Sequence, residues 1–244
     1  MPNHASLAGG SSNPGAWAGS RLAATARPHG PVGHSTAPAE GVRCLVDATA
    51  PVIVIAASAG GLAPLKEIVG ALPPGTPAAV FVLLHVSAER PSVLPEILDR
   101  LGTLPAAHVV DGEAIASGRV YVAPPGDRHV VVERGVVRLV EGPKERHARP
   151  AADVLFRSAA AAYGARVIGV VLSGMDGDGA AGLAHVKDAG GVTVVQAPAD
   201  ATFPGMPESA LAASRLDYCL PAEDIGPLLA RLVRATWEPP REVA

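Results

Sequence analysis

Four branched residues in a row, Val52-Ile53-Val54-Ile55, run straight into Ala56-Ala57-Ser58-Ala59-Gly60-Gly61, and a helical pattern starts at Leu62. No polar residue alternates with the aliphatic ones. The run therefore reads as a strand covered on both faces, followed by a tight turn and a helix start. The glycines at 60 and 61 let backbone or substrate come close. A strand buried on both faces needs neighbours of its own kind, and the chain supplies them at Ala79 to Leu84, Val167 to Leu172 and Val192 to Val195.

Helical patterns fall between these runs. The first reaches about Ala71 and stops at Leu72-Pro73-Pro74-Gly75. Pro91 and Pro95 mark the start of a second, with Leu94, Ile97, Leu98 and Leu101 on one face. Asp153 to Tyr163 is amphipathic, and another helix ends near Asp188 at Gly190-Gly191. Met206 to Ala213 and Ala222 to Arg234 complete the set, with Leu216 to Leu220 as a last short strand. The alternation predicts an α/β fold with a doubly wound, mostly parallel sheet.

Residues 105 to 140 differ. Four short runs, at Ala107 to Val110, Arg119 to Val122, His129 to Val132 and Val136 to Leu139, are separated by Asp111-Gly112, Pro124 to Asp127 and Arg134-Gly135. They predict a small antiparallel hairpin excursion. A polar loop follows from Gly142 to Pro150.

The 244 residues are 48% hydrophobic and 18% charged, with a formal net charge of −3, which suits one soluble domain with a sizeable core. That charge balance argues against nucleic acid, and 3% aromatics leave little for base stacking. Cys44 and Cys219 form no C-x-x-C motif and read as free thiols in a reducing cytosol. No apolar run reaches the length of a membrane span, so no direct membrane insertion is expected. Residues 1 to 48 are rich in Ala, Gly, Ser and Pro without an apolar period, and a disordered tail is expected there. A signal peptide fits poorly for want of an apolar h-region. A transit peptide fits somewhat better, since Arg21, Arg27 and Arg43 are present and no acidic residue precedes Glu40. The folded domain is expected over 49–238.

In open α/β sheets, functional loops gather at the carboxyl ends of the strands. Three buried runs here lead into Ser58, His85 and Asp178. A serine hydroxyl needs a base to take its proton, and that base needs a carboxylate to fix its tautomer. Each residue also has a plainer role. Ser58 would cap the helix after it, or its turn would cradle a phosphate. His85 would be a hydrogen-bonded structural residue, and Asp178 would cap the helix after it. The dinucleotide, P-loop and G-x-S-x-G patterns are absent. A calcium loop at Asp176-Gly177-Asp178 fails, because Ala180 and Ala181 stand where an acidic or amide residue and a glycine belong. His129, His147 and His185 lack metal-ligand spacing, so neither metal nor cofactor is expected.

Six ordered segments carry a resemblance: Ala56 to Gly61, Leu84-His85-Val86, Val122 to His129, Arg149 to Phe156, Leu172 to Ala180 and Phe203 to Pro207. Together they span about three quarters of the chain, and in them it resembles the catalytic domain of CheB-type chemoreceptor methylesterases. That resemblance implies the fold of that domain, with Ser58 as nucleophile, His85 as general base, Asp178 as its orienting carboxylate and the Met175 amide as an oxyanion donor. It implies hydrolysis of glutamate methyl esters on the cytoplasmic helices of a methylated chemoreceptor, in the cytoplasm, with glutamine deamidation in some members. The competing reading is a catalytically silent esterase-like module that docks on a signalling partner. A nucleotide- or phosphate-binding role is the third.

The chain departs from the family pattern in three places. Ala59 replaces a common threonine beside the nucleophile. Ala148 stands where histidine commonly precedes Arg149-Pro150, with His147 one step earlier. The segment ahead of Val52 is too short and unpatterned for the receiver domain that many members carry, so phosphorylation control in cis is not expected.

Overall fold

A computed structural model describes residues 50–85 and 91–236. The expected tail at 1–48 lies outside them. Seven strands form the main sheet: β1 (Val52–Ala57), β2 (Ala79–Leu84), β3 (Ala106–His108), β4 (Arg119–Val122), β7 (Val167–Val171), β8 (Val192–Gln196) and β9 (Tyr218–Leu220). Their order is β3-β4-β2-β1-β7-β8-β9, and every pairing is parallel. The remaining strands, β5 (His129–Glu133) and β6 (Val136–Val140), form a separate antiparallel pair.

The antiparallel excursion is thus half as large as its sequence suggests. Arg119 to Val122 adds to the main sheet beside β2, and Ala106 to His108 follows at the edge. Burial explains the difference. Val120 and Val122 pack on one face of the sheet and Tyr121 on the other, where its ring stacks on Phe81 at 4.9 Å between centroids. A strand covered on both faces belongs in a parallel layer, and a four-residue run cannot reveal this by pattern.

Helices α1 (Leu62–Gly70), α2 (Leu94–Asp99) and α6 (Ala222–Thr236) cover one face. On α1 the buried Leu65, Ile68 and Val69 recur at helical spacing, and on α6 Ile225, Leu228, Leu229 and Val233 do the same. Helices α3 (Ala152–Tyr163), α4 (Ala180–Asp188) and α5 (Gly205–Ala213) cover the other face. Neighbouring strands β1 and β7 therefore send their following helices, α1 and α4, to opposite sides. The crevice at their carboxyl ends is the topological switch point, where open α/β sheets bind ligands.

Candidate active site

The main-chain ladder continues past the strand ends and fixes the loops of the crevice. His85 N–H donates to Ala57 C=O at 3.0 Å, and Ser58 N–H donates to Ser173 C=O at 2.9 Å. Three strand ends, those of β1, β2 and β7, are thus held side by side. Ser58, His85 and Asp178 line one cleft there.

Ser58 is half-buried, and its hydroxyl makes no hydrogen bond to any described residue. It is not a helix cap: Gly61 holds that position in α1, without a side-chain bond. Its turn is held from below instead. Buried Ser173 donates its hydroxyl to Ala59 C=O at 2.8 Å and accepts Phe203 N–H at 3.0 Å. Gly60 takes φ +73° and lies so close to Thr202 that a Cβ there would sit 2.7 Å from its Cβ. A Cβ on Gly174 would meet Ser58 Cβ at 2.9 Å, so the loop after β7 lies against the serine. In that loop Met175 is 66% exposed, and its N–H donates to no described residue.

His85 Nε2 lies 3.0 Å from Asp178 Oδ2. The nitrogen is buried and stands off the line of an aligned N–H···O bond, so the contact is a close approach rather than an ideal hydrogen bond. The imidazole itself is 20% exposed and opens to the cleft shared with Ser58.

Asp178 is 1% exposed and fully engaged. Its Oδ2 accepts Ala152 N–H at 2.6 Å and its Oδ1 accepts Asp153 N–H at 3.0 Å. These are the first amides of α3, whose N-cap, Ala151, offers no side-chain acceptor. Asp178 therefore caps α3, and Gly179 is the N-cap of the helix that follows it. Asp153 returns the exchange: its Oδ1 accepts Gly179 N–H at 3.0 Å and Gly182 N–H at 2.6 Å, the opening amides of α4. Each carboxylate sits at the positive end of the other's helix.

The two acids titrate in opposite directions. Burial pushes Asp178 up, but the His85 imidazole and the two α3 amides outweigh burial and hold it below the ordinary carboxylate value. Asp153 is pushed up, first by burial and then by the Asp178 charge, against the pull of the Gly182 amide and Arg146. The two carboxyls are thus moved apart in pKa, and the lowered one is the one beside the imidazole.

Sequence patterns do not single out Asp153, Ser173 or the tie between two loops of the cleft. In that tie Arg149 Nε donates to Asp127 Oδ1 at 2.6 Å, with further bonds to Asp127 Oδ2 and Gly142 C=O. This pairing holds Asp127 below the ordinary carboxylate value. His129, a strand residue as expected, is a structural pin. Its Nδ1 accepts Ala151 N–H at 3.2 Å while Nε2 bonds Pro143 C=O at 2.9 Å. His147 lies in the loop of the cleft, and His185 on α4 bonds Ala181 C=O. No three or more His, Cys, Asp or Glu residues are grouped to hold a metal ion among the described residues.

A doubly wound parallel sheet with serine, histidine and a buried carboxylate at its switch point defines an α/β protein with a hydrolase-type site. The chain belongs to the CheB methylesterase family, whose profile matches residues 53–229. A protein-glutamate methylesterase/protein-glutamine glutaminase of Anaeromyxobacter dehalogenans is 39% identical over 194 residues, 78% of this chain and 54% of that protein. One bearing the same description in Rhodospirillum rubrum is 37% identical over 190 residues, 76% and 52% of the two chains. The chain thus spans about half the length of these curated relatives. A Leptospira interrogans relative, 38% identical over 181 residues, is covered over 93% of its length and 74% of this chain. The crystal structure of the Thermotoga maritima CheB methylesterase catalytic domain superposes with a TM-score of 0.70 at 34% identity, covering 75% of this chain and 98% of that one.

Proposed function

We propose that the chain is a protein-glutamate methylesterase that hydrolyses glutamate methyl esters on the cytoplasmic helices of a chemoreceptor. The observation that carries this reading is the 3.0 Å approach of His85 Nε2 to the ionised, buried Asp178 in the cleft that also holds Ser58. With Nε2 beside the carboxylate, Nδ1 is the nitrogen assigned as the base, and it takes the Ser58 proton as the hydroxyl attacks the ester carbonyl. Backbone amides hold the oxyanion, with Met175 N–H the candidate donor. Losing one such donor typically slows acyl transfer by about 100- to 1000-fold. Methanol leaves with the proton from the imidazole. Water, activated by the same base, then releases the glutamate carboxylate. A glutamine amide follows the same path with ammonia as leaving group, which is the deamidation named for the relatives. The reaction needs neither metal nor cofactor. The partner is the protein substrate, and the site of action is the cytoplasm; no helix among the described residues is long and apolar enough to cross a membrane.

The decisive experiment incubates the protein with methylated receptor membranes and follows methanol. Release above the uncatalysed rate is expected, and its absence ends the proposal. The silent-module reading draws on the free Ser58 hydroxyl, which bonds no described residue. A fluorophosphonate probe separates the two, because a silent module leaves Ser58 unlabelled, whereas an activated serine reacts.

A further inference from the structure

One wall of the cleft is a tight turn whose residues suit it badly. Glu145 and Ala148 exchange both main-chain hydrogen bonds, at 3.1 and 2.8 Å, and the two residues between them, Arg146 and His147, take φ +46° and +65°. Two consecutive positive φ values are the condition for a type I′ turn, which normally calls for Asn-Gly. Among the described residues these are the positive-φ positions that are not glycine. Backbone strain of this kind persists only where the surroundings impose it, and it gathers at ligand sites.

The surroundings here are specific. Arg157 of α3 grips Glu145 with a bidentate pair at 2.8 and 2.6 Å. Arg146 reaches Asp153 Oδ2 through Nε at 3.3 Å and lies over Gly177, where a Cβ would meet its Nη1 at 3.2 Å. The guanidinium is thus tethered by one nitrogen. Its two Nη groups make no hydrogen bond to a described residue, and the side chain is 54% exposed. Arg146 lines the cleft that holds Ser58 and His85. The other charges of that lining are largely committed: Arg149 to Asp127, and Asp178 to His85 and α3. Lys144 adds positive charge to the same wall, and Asp176 stands against it.

We propose that the Arg146–His147 turn is a specificity subsite that receives a second, free carboxylate of the substrate protein, close to the ester-bearing side chain, in the Nη fork of Arg146. A planar fork pre-placed by its Nε tie matches a carboxylate in two parallel hydrogen bonds, as a mobile lysine does not. The strain of the turn is what keeps the fork beside Gly177, in the wall of the cleft that holds the reacting serine. The substrate class deepens from a glutamate methyl ester to one with an acidic neighbour, and this rests on the esterase reading above.

The test uses two synthetic helical peptides, each with one glutamate methyl ester, flanked either by glutamate or by glutamine. For the full chain, kcat/KM is expected to favour the acidic peptide by about tenfold, the scale of one charge-assisted pair. Arg146→Gln should bring the ratio to about one, Arg146→Lys should restore part of it, and Arg146→Glu should invert it. An unbiased wild-type protein, or a ratio untouched by all three variants, overturns the proposal. If the wild-type protein hydrolyses neither peptide, the esterase reading has failed. The subsite is then judged by fluorescence anisotropy of the same labelled peptides, where loss of the acidic preference in Arg146→Glu upholds it and equal affinities refute it.

Discussion

The two turns that flank the switch point are built on opposite plans. After β1, the Ser58 turn is shaped by backbone bonds, glycines and the Ser173 hydroxyl beneath it, and the one functional side chain on it is free of hydrogen bonds to described residues. After β7, the turn at Asp178 spends its side chain entirely: two α3 amides and the imidazole share one carboxylate. The contrast fits the roles proposed for them. A nucleophile must move toward a substrate atom, so its position has to come from the main chain beneath it. An orienting group must not move, so its own atoms are fixed, and fixing them also keeps it ionised in a buried place.

Deleting the free side chain should therefore strike chemistry alone. Ser58→Ala is expected to cut ester hydrolysis by about a millionfold, as loss of a triad nucleophile does, and to leave the melting temperature in place. A matching fall in stability would show that the hydroxyl is structural after all. Asp178→Asn should slow hydrolysis by about ten thousandfold through the wrong imidazole tautomer. Unlike the serine variant it should also melt earlier, because one amide of α3 then faces an NH2 group; steady-state kinetics and thermal melts on one preparation check both halves.

Asp153 sharpens the comparison, since it shares the capping plan without touching the imidazole. Asp153→Ala orphans the Gly179 and Gly182 amides, at about 1–3 kcal/mol for each. Asp153→Asn keeps an oxygen for them and sheds an acid whose ionisation burial disfavours, so denaturant melts should place it much closer to wild type. Equal losses in the two variants would mean that charge, not acceptor geometry, holds α4. The smallest effect is on pH. Asp178 is lowered by folding, so its stabilisation is complete at neutral pH and is lost only as pH falls below the ordinary carboxylate value of 3.8. The melting gap between wild type and Asp178→Asn should accordingly close in strong acid and stay constant from mildly acid to neutral pH.

The strand ends carrying Ser58 and His85 are legible because an unbroken apolar run such as Val52–Ala57 or Ala79–Leu84 announces both a buried strand and where it stops. Asp178 is legible as a carboxylate placed to orient His85, but not its capping partner: capping α4 falls to Asp153, and Asp178 caps α3 instead. No local pattern encodes that exchange, since the partners are some 25 residues apart and meet only when α3 and α4 pack side by side. The position of β4 escapes for the same reason, its four residues being equally at home in a hairpin.

Local sequence determined the buried strands, the turns that end them and the residue types delivered to one edge of the sheet, because hydrophobic period and glycine freedom act over a few residues. Tertiary packing alone decided which helix each buried carboxylate caps, which acid is lowered and which raised, and how Arg146 comes to line the cleft, because burial and long-range electrostatics depend on neighbours that the chain order does not name.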